Sequence, residues 1–261
     1  MLLPFYKYQG TGNDFIIMDN RQATITLNTE QIAALCDRRM GIGADGLMLL
    51  EQAEGFDFKM VYYNADGNES TMCGNGGRCM VAFAQRLHII NDAAHFIAID
   101  GAHHATINAA QSRVTLQMIN VAGIQYQEND AILNTGSPHW VRWVEDTRSV
   151  DVFQEGRAIR QQEAFQPKGI NVNFATINTD GSIAVRTYER GVEAETLSCG
   201  TGVTAVAIAS AKGKIGAFQT TIHTPGGTLQ VQFQKSTDDS AHDVWLSGPA
   251  TFVFQGTVSV E

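Results

Sequence analysis

The sequence predicts an α+β protein of two pseudo-symmetric domains, each a curled mixed β-sheet around one central helix, with the active site in the cleft between them. Three observations predict this. Most apolar segments are short, and several alternate with period two, as half-buried strands do. When the two halves are laid over each other with a shift of 126 residues, Tyr62 falls on Tyr188, Glu69 on Glu195, Ser70 on Thr196, Cys73 on Cys199, Gly74 on Gly200, Gly76 on Gly202 and Gly101 on Gly227. After each of these cysteines comes a run that is apolar on nearly every face, Cys79 to Ala84 and Val203 to Ala211, which is the pattern of a helix buried all round. A single register that carries a cysteine, its glycines and the helix behind it favours an internal duplication. A nearby shift places Thr11-Gly12-Asn13 over Thr135-Gly136-Ser137.

The elements follow in order. Strands are expected at Phe15 to Met18, Phe58 to Tyr63, Arg113 to Met118, His139 to Val144, Asn171 to Ile177, Ile183 to Tyr188 and Thr228 to Phe233, all rich in β-branched and aromatic residues. Thr29 is placed to cap a helix with Ile32, Leu35, Cys36 and Met40 on one face and Gly41 at its end. On that stripe Cys36 reads as a small core hydrophobe. Residues 145 to 168 are polar with scattered apolar positions, the pattern of a surface helix or long connection. Residues 236 to 243 read as an exposed hairpin loop. The domains are expected at residues 1–118 and 119–249.

Composition narrows the function. A chain of 261 residues with 44% hydrophobic and 17% charged residues can bury sizeable cores, which excludes disorder and small disulfide scaffolds. The net charge of -9 gives no electrostatic warrant for nucleic acid as a partner. No apolar stretch approaches the roughly 20 residues needed to cross a bilayer, and the start MLLPFYKYQG has no signal-peptide pattern. The expectation is a cytoplasmic protein with a small-molecule substrate and no membrane partner, compatible with a homodimer.

The four cysteines, Cys36, Cys73, Cys79 and Cys199, are too sparse for a secreted staple framework. MCGNGGRC, from Met72 to Cys79, and SCGTG, from Ser198 to Gly202, each put a cysteine at the start of a buried helix, with glycines that let backbone N–H groups approach a ligand. A helix N-terminus carries about half a positive charge and unsatisfied donors, which favours thiolate over thiol and also binds carboxylate. One Cys-Gly-x-Gly is a weak signal. Two in matching halves are far more specific, because inverting a stereocentre needs one group to take a proton from one face and another to return one on the opposite face.

Other readings carry less. A metal site needs more ligands than Cys73 and Cys79 supply, and the histidines show no ligand spacing beyond the adjacent His103-His104. A thiol redox or binding module remains an alternative, although no Cys-x-x-Cys is present. The run from Gly41 to Gly46 matches G-x-G-x-x-G, but it follows a helix and leads into the strand-like Leu47 to Leu50, the reverse of the dinucleotide-binding context. It reads as a turn, and no cofactor is expected.

The segments GTGNDF, GIGADG, YNADGNESTMCGNGGRC, GSPH, NVNF, YERG, ETLSCGTG and TPGG stand in this order along nearly the whole chain. In them the sequence resembles the diaminopimelate epimerases. The resemblance implies a cofactor-independent isomerase that interconverts LL- and meso-diaminopimelate on the route to lysine and peptidoglycan, and a final strand, residues 250–261, that returns to the first domain. Carried over residue by residue, it implies Cys73 and Cys199 as the catalytic pair, with His139 and Glu189 orienting and tuning the thiols. It implies backbone donors at Gly74, Asn75, Gly200 and Thr201 for the reacting carboxylate, and Asn13, Asn64, Asn173 and Arg190 for the substrate's charged groups. By residue type alone Asn13 and Asn64 read as turn formers, and Glu189 with Arg190 as a solvated pair ending a strand. The sequence departs from the family's pattern at Ser137, where many members have Asn, at Gly46, where some have Gln, and in a stretch from Gly191 to Ser198 that is one residue longer than in some members. These leave a racemase of proline-like or other amino acids, with the same fold, as an alternative.

Overall fold

The computed structural model describes residues 1–260, and these divide into two compact units, residues 1–116 with 248–260, and residues 117–247. In the first unit the elements run β1 (Leu2–Gly10), β2 (Asn13–Asp19), α1 (Thr29–Cys36), β3 (Gly46–Glu51), β4 (Phe58–Asn64), α2 (Gly74–Arg86), β5 (Ala93–Ala98), β6 (Gly101–Asn108) and β7 (Arg113–Gln117). The chain's last strand, Thr251–Ser259, pairs antiparallel with β1.

The second unit has β8 (Val121–Ala122), β9 (Gln125–Gln127), β10 (Asp130–Asn134), β11 (Pro138–Trp143), α3 (Val152–Arg160), β12 (Asn171–Ile177), β13 (Ile183–Glu189), β14 (Ala194–Thr196), α4 (Gly200–Ala209), β15 (Gly216–Thr224), β16 (Gly227–Lys235) and β17 (Ser240–Pro249). The two units repeat one scheme of pairing. β1 and β2 are antiparallel, β2 and β3 parallel across α1, β3 and β4 antiparallel, β4 and β5 parallel across α2, and β5 and β6 antiparallel. The same alternation runs through β10, β11, β12, β13, β15 and β16, with α3 and α4 in the two parallel crossovers. The α+β, two-unit expectation is met at the level of individual strand pairs.

Each sheet is covered on both faces, which explains strands that are apolar without a break. On β2, Phe15 lies toward α2, where Gly76 approaches Phe15, Met48 and Met60, while Ile16 and Met18 join Leu47, Leu49 and Val61 under Ile32 and Leu35 of α1. In the second unit Val141, Ala175 and Val185 pack with Val203 and Val206 of α4, and the alternate residues Trp140, Val172 and Phe174 pack with Val152 and Ile159 of α3. Each such side chain contributes roughly 1.5–3 kcal/mol by leaving water. Gly156 of α3 sits so close to Tyr188 that an added Cβ would lie 2.4 Å from the tyrosine Cβ. The helix therefore packs on β13 only with glycine at that place.

Two expectations need correction. The first helix is capped by Asn28, not Thr29: the Asn28 side chain accepts from Gln31 N at 2.8 Å and the Gln31 side chain accepts from Asn28 N at 3.0 Å, a reciprocal capping box. That helix also stops at Cys36, and Met40 is exposed rather than part of its apolar stripe. Within residues 236 to 243 the turn is shorter than expected, because β17 begins at Ser240.

Candidate active site

Cys73 and Cys199 hold the same position, the N-cap of α2 and of α4, both with extended backbone and neither capping its helix through sulfur. The first intrahelical bonds run from Gly77 N to Cys73 O at 2.7 Å and from Val203 N to Cys199 O at 2.9 Å. The N–H groups of the three residues before each of those donors have no acceptor within their own helix. Gly74 with Asn75, and Gly200 with Thr201, thus present backbone donors beside a sulfur. Burial pushes the thiols of the other two cysteines up, Cys36 to about 11 and Cys79 to about 12, so both stay protonated at neutral pH and poorly nucleophilic.

Around Cys73 the first unit builds a polar cluster. Cys73 Sγ donates to Asn13 Oδ1 at 3.6 Å, Asn75 Nδ2 donates to the same oxygen at 3.4 Å, and Asn13 Nδ2 donates to Asp45 Oδ2 at 2.6 Å. Asp45 comes from the glycine-rich turn of residues 41–46, so that turn supplies the acceptor that fixes the Asn13 amide. Behind it Arg78 is wholly buried, donating to Asn75 Oδ1 at 3.0 Å, Thr11 Oγ1 at 3.2 Å, Gly74 O at 3.3 Å and Pro249 O at 3.3 Å. Burial lowers its pKa only to about 10, so it remains a cation at neutral pH. Asn64 stands exposed at the end of β4, in a turn closed by bonds from Asn64 N to Asn68 O and from Gly67 N to Asn64 O.

The second unit surrounds Cys199 differently. Thr201 Oγ1 lies 3.4 Å from Cys199 Sγ and 2.9 Å from His139 Nε2. The other ring nitrogen, Nδ1, is 3.1 Å from Asn173 Nδ2, which also donates to Trp140 O at 3.0 Å, while Asn173 Oδ1 accepts from Thr187 Oγ1 at 3.0 Å. An amide nitrogen only donates, so Nδ1 is the acceptor and Nε2 carries the ring hydrogen. Burial, helped by the charge of Arg190, pushes the His139 pKa down to about 3, which keeps the ring neutral. Gly202 makes room for this bridge, since a Cβ there would lie 2.3 Å from Asn173 Oδ1.

Arg190, just beyond β13, donates to Ser137 Oγ at 3.1 Å and to Lys168 O at 3.2 Å, and its backbone N–H donates to Asn171 Oδ1 at 2.8 Å. Asn171 Nδ2 donates to Ser137 Oγ at 3.0 Å. The short Ser137 side chain is thus met by two neighbouring side chains. Glu189 accepts from Thr196 Oγ1 at 2.9 Å. Of the residues the resemblance singled out, the structure gathers Asn13 and Asn75 at Cys73, and His139, Asn173 and Thr201 at Cys199. It places the Asn173 amide entirely inside its unit. Asp45, Thr11, Arg78 and Asn171 were not singled out from the sequence. Among the described residues no three His, Cys, Asp or Glu side chains are grouped to hold a metal, and no helix is long and apolar enough to cross a membrane.

The fold is that of a group of solved structures which includes a PhzF-family phenazine biosynthesis protein from Bacillus anthracis, with a TM-score of 0.76 at 13% identity over all of both chains. It also includes a probable proline racemase from Agrobacterium radiobacter, with a TM-score of 0.72 at 14% identity over 99% of this chain and 93% of that one. Within that fold class, the diaminopimelate epimerase family model matches residues 5–122 and 131–253, and the chain belongs to this family. A diaminopimelate epimerase from Flavobacterium psychrophilum is 53% identical over 98% of this chain and 100% of its own length. One from Chlorobaculum tepidum is 43% identical over 96% of this chain and 99% of its own.

Proposed function

We propose that the protein interconverts LL- and meso-diaminopimelate, with Cys73 and Cys199 as the two acid-base groups on opposite faces of one substrate carbon. The observation that carries this reading is the repeated placement of a cysteine at the N-cap of a buried helix, once in each unit, beside backbone donors that suit a carboxylate. One sulfur, as thiolate, removes the Cα hydrogen as a proton. The electron pair left on the carbon is delocalised toward the substrate carboxylate, where the N–H groups of Gly74, Asn75, Gly200 and Thr201 stabilise the growing charge. The other sulfur, as thiol, returns a proton from the opposite face. Each turnover leaves the two sulfurs with their protonation states exchanged.

In this reading Asn13 and Asn173 act as braces, since their amides are held by Asp45 and by Trp140 and Thr187. Arg190 is the group for the distal carboxylate, its guanidinium held by Ser137 Oγ and Lys168 O. Exposed Asn64 supplies a neutral polar contact. The cytoplasm is the proposed place of work and a homodimer the proposed assembly, the latter tested by sedimentation. The function is tested by incubating the protein with LL-diaminopimelate, L-proline and L-lysine and resolving the stereoisomers. Formation of the meso isomer with the other two substrates unchanged is expected. Preferential racemisation of proline or lysine would replace this reading with that of a simpler amino-acid racemase.

A further inference from the structure

The two cysteines share a position but not a hydrogen-bond environment. Two residues beyond each comes the polar side chain of the helix's second residue, Asn75 in one unit and Thr201 in the other. Asn75 turns from Cys73 toward Asn13 and Arg78, so Cys73 meets Asn13 Oδ1, an oxygen that can only accept and that faces the sulfur because the amide nitrogen is committed to Asp45. A sulfur bonded to such an oxygen must carry its hydrogen. Thr201 turns toward Cys199. Its oxygen accepts from His139 Nε2, and its one hydroxyl hydrogen is free to be donated to Cys199 Sγ, 3.4 Å away.

We infer that Thr201 is a positioning residue that, with the His139 ring behind it, sets where the proton rests between turnovers, Cys199 being the proton-poor sulfur and Cys73 the proton-bearing one. This rests on the two-cysteine reading above. The relay runs from the Asn173 amide through neutral His139 to the Thr201 hydroxyl and on to Cys199, with every hydrogen assigned once. Its direction is fixed at the far end, where the Asn173 amide donates to both His139 Nδ1 and Trp140 O. A hydrogen bond to the charged form of a thiol favours that form, and the start of α4 adds its positive end.

Arg190, after β13, acts on the His139 ring, and Glu189 at the end of β13 is bonded to Thr196. Beyond His139 and Asn173 at the start of α4, β10, β11, β12, β15 and β16 pack on the helix through apolar residues, Leu133, Val141, Ala175, Ile222 and Val231. Buried Lys235 of β16 lies past the far end of the helix, bonded to Ala211 O, Tyr126 and Asp238.

The test is residue-resolved alkylation of the full chain by iodoacetamide from about pH 5 to about pH 10, because only the thiolate reacts. In the unmodified protein Cys199 is expected to react with the lower pH midpoint of the two. Thr201→Val, which keeps the shape and the backbone N–H but removes the hydroxyl, should raise the Cys199 midpoint by about one pH unit and leave that of Cys73 in place. Thr201→Ser should restore it. A lower midpoint at Cys73 in the unmodified protein overturns the inference without any variant. So does a Cys199 midpoint that ignores Thr201→Val, or a valine effect that serine does not reverse. The assay reads sulfur and not turnover, so a protein that behaves as stated yet fails to epimerise diaminopimelate would remove the functional reading alone.

Discussion

The amide nitrogen of Asn13 donates to Asp45 at 2.6 Å, and this bond turns the Asn13 oxygen toward Cys73. An amide without that anchor can present its NH₂ to the sulfur instead, and the thiol then loses its acceptor. Asp45→Ala is therefore expected to lower kcat/KM by roughly 10–100-fold, the equivalent of one charge-assisted hydrogen bond of about 1.5–3 kcal/mol. Steady-state turnover of LL-diaminopimelate checks this, and unchanged kinetics would mean that the amide is held by something else.

Cys73→Ala and Cys199→Ala should each reduce turnover by roughly 10²–10⁴-fold, the usual range for a lost general acid or base, because each sulfur serves a different face. Cys36→Ala should retain turnover, since that thiol is buried at the end of α1 and its pKa is raised to about 11. Circular dichroism of each variant, taken alongside the rates, separates lost chemistry from lost folding.

The low pKa of His139 makes the stability depend on pH. An unfolded histidine takes up a proton as pH falls through about 6.5, whereas buried His139 does so only near a pKa of about 3. Between these values the unfolded state binds more protons, so stability is fully present above the upper value and is lost as pH falls toward the lower one. Urea unfolding at about pH 7 and about pH 5 should differ by more in the unmodified protein than in His139→Gln, with a limiting slope near 1.4 kcal/mol per pH unit. Equal pH dependence in the two would show that the ring titrates normally.

Asn173→Ala removes an amide whose three partners, His139, Trp140 O and Thr187, lie in the interior of the second unit. A loss of roughly 1–3 kcal/mol in unfolding free energy is expected, through the buried groups left unsatisfied. Chemical denaturation measures it directly. A substrate-contact residue without a bracing role would instead change KM and leave the unfolding midpoint in place.

The repeat of 126 residues made the architecture legible, because a buried helix and the cysteine before it are encoded locally, by glycines and an unbroken apolar run. The strand β1 was not singled out, since LLPFYKYQG has no clean alternation, whereas its partner Thr251–Ser259 was expected as a returning strand through the resemblance and not through its own pattern. Thr29 was expected as the cap because threonine is a good one, and only the reply of the Gln31 side chain identifies Asn28 in that role. The family motifs brought Asn13 and Asn173 to notice but not what they touch. Asp45 looked like part of a turn. Arg78 gave no sign of its complete burial, as a lone arginine in a glycine-rich stretch reads as solvated until four acceptors are seen around it.

The most direct test of the central claim is the position of the isotope when LL-diaminopimelate is converted in heavy water and the reaction is stopped early. With one sulfur removing the proton and a different, solvent-exchanged sulfur returning one, deuterium should appear at Cα of the meso product while recovered LL substrate remains protiated. The reverse reaction should show the same rule. Deuterium entering recovered LL substrate as fast as it enters the meso product would contradict the account, because a single group would then be serving both faces of the carbon.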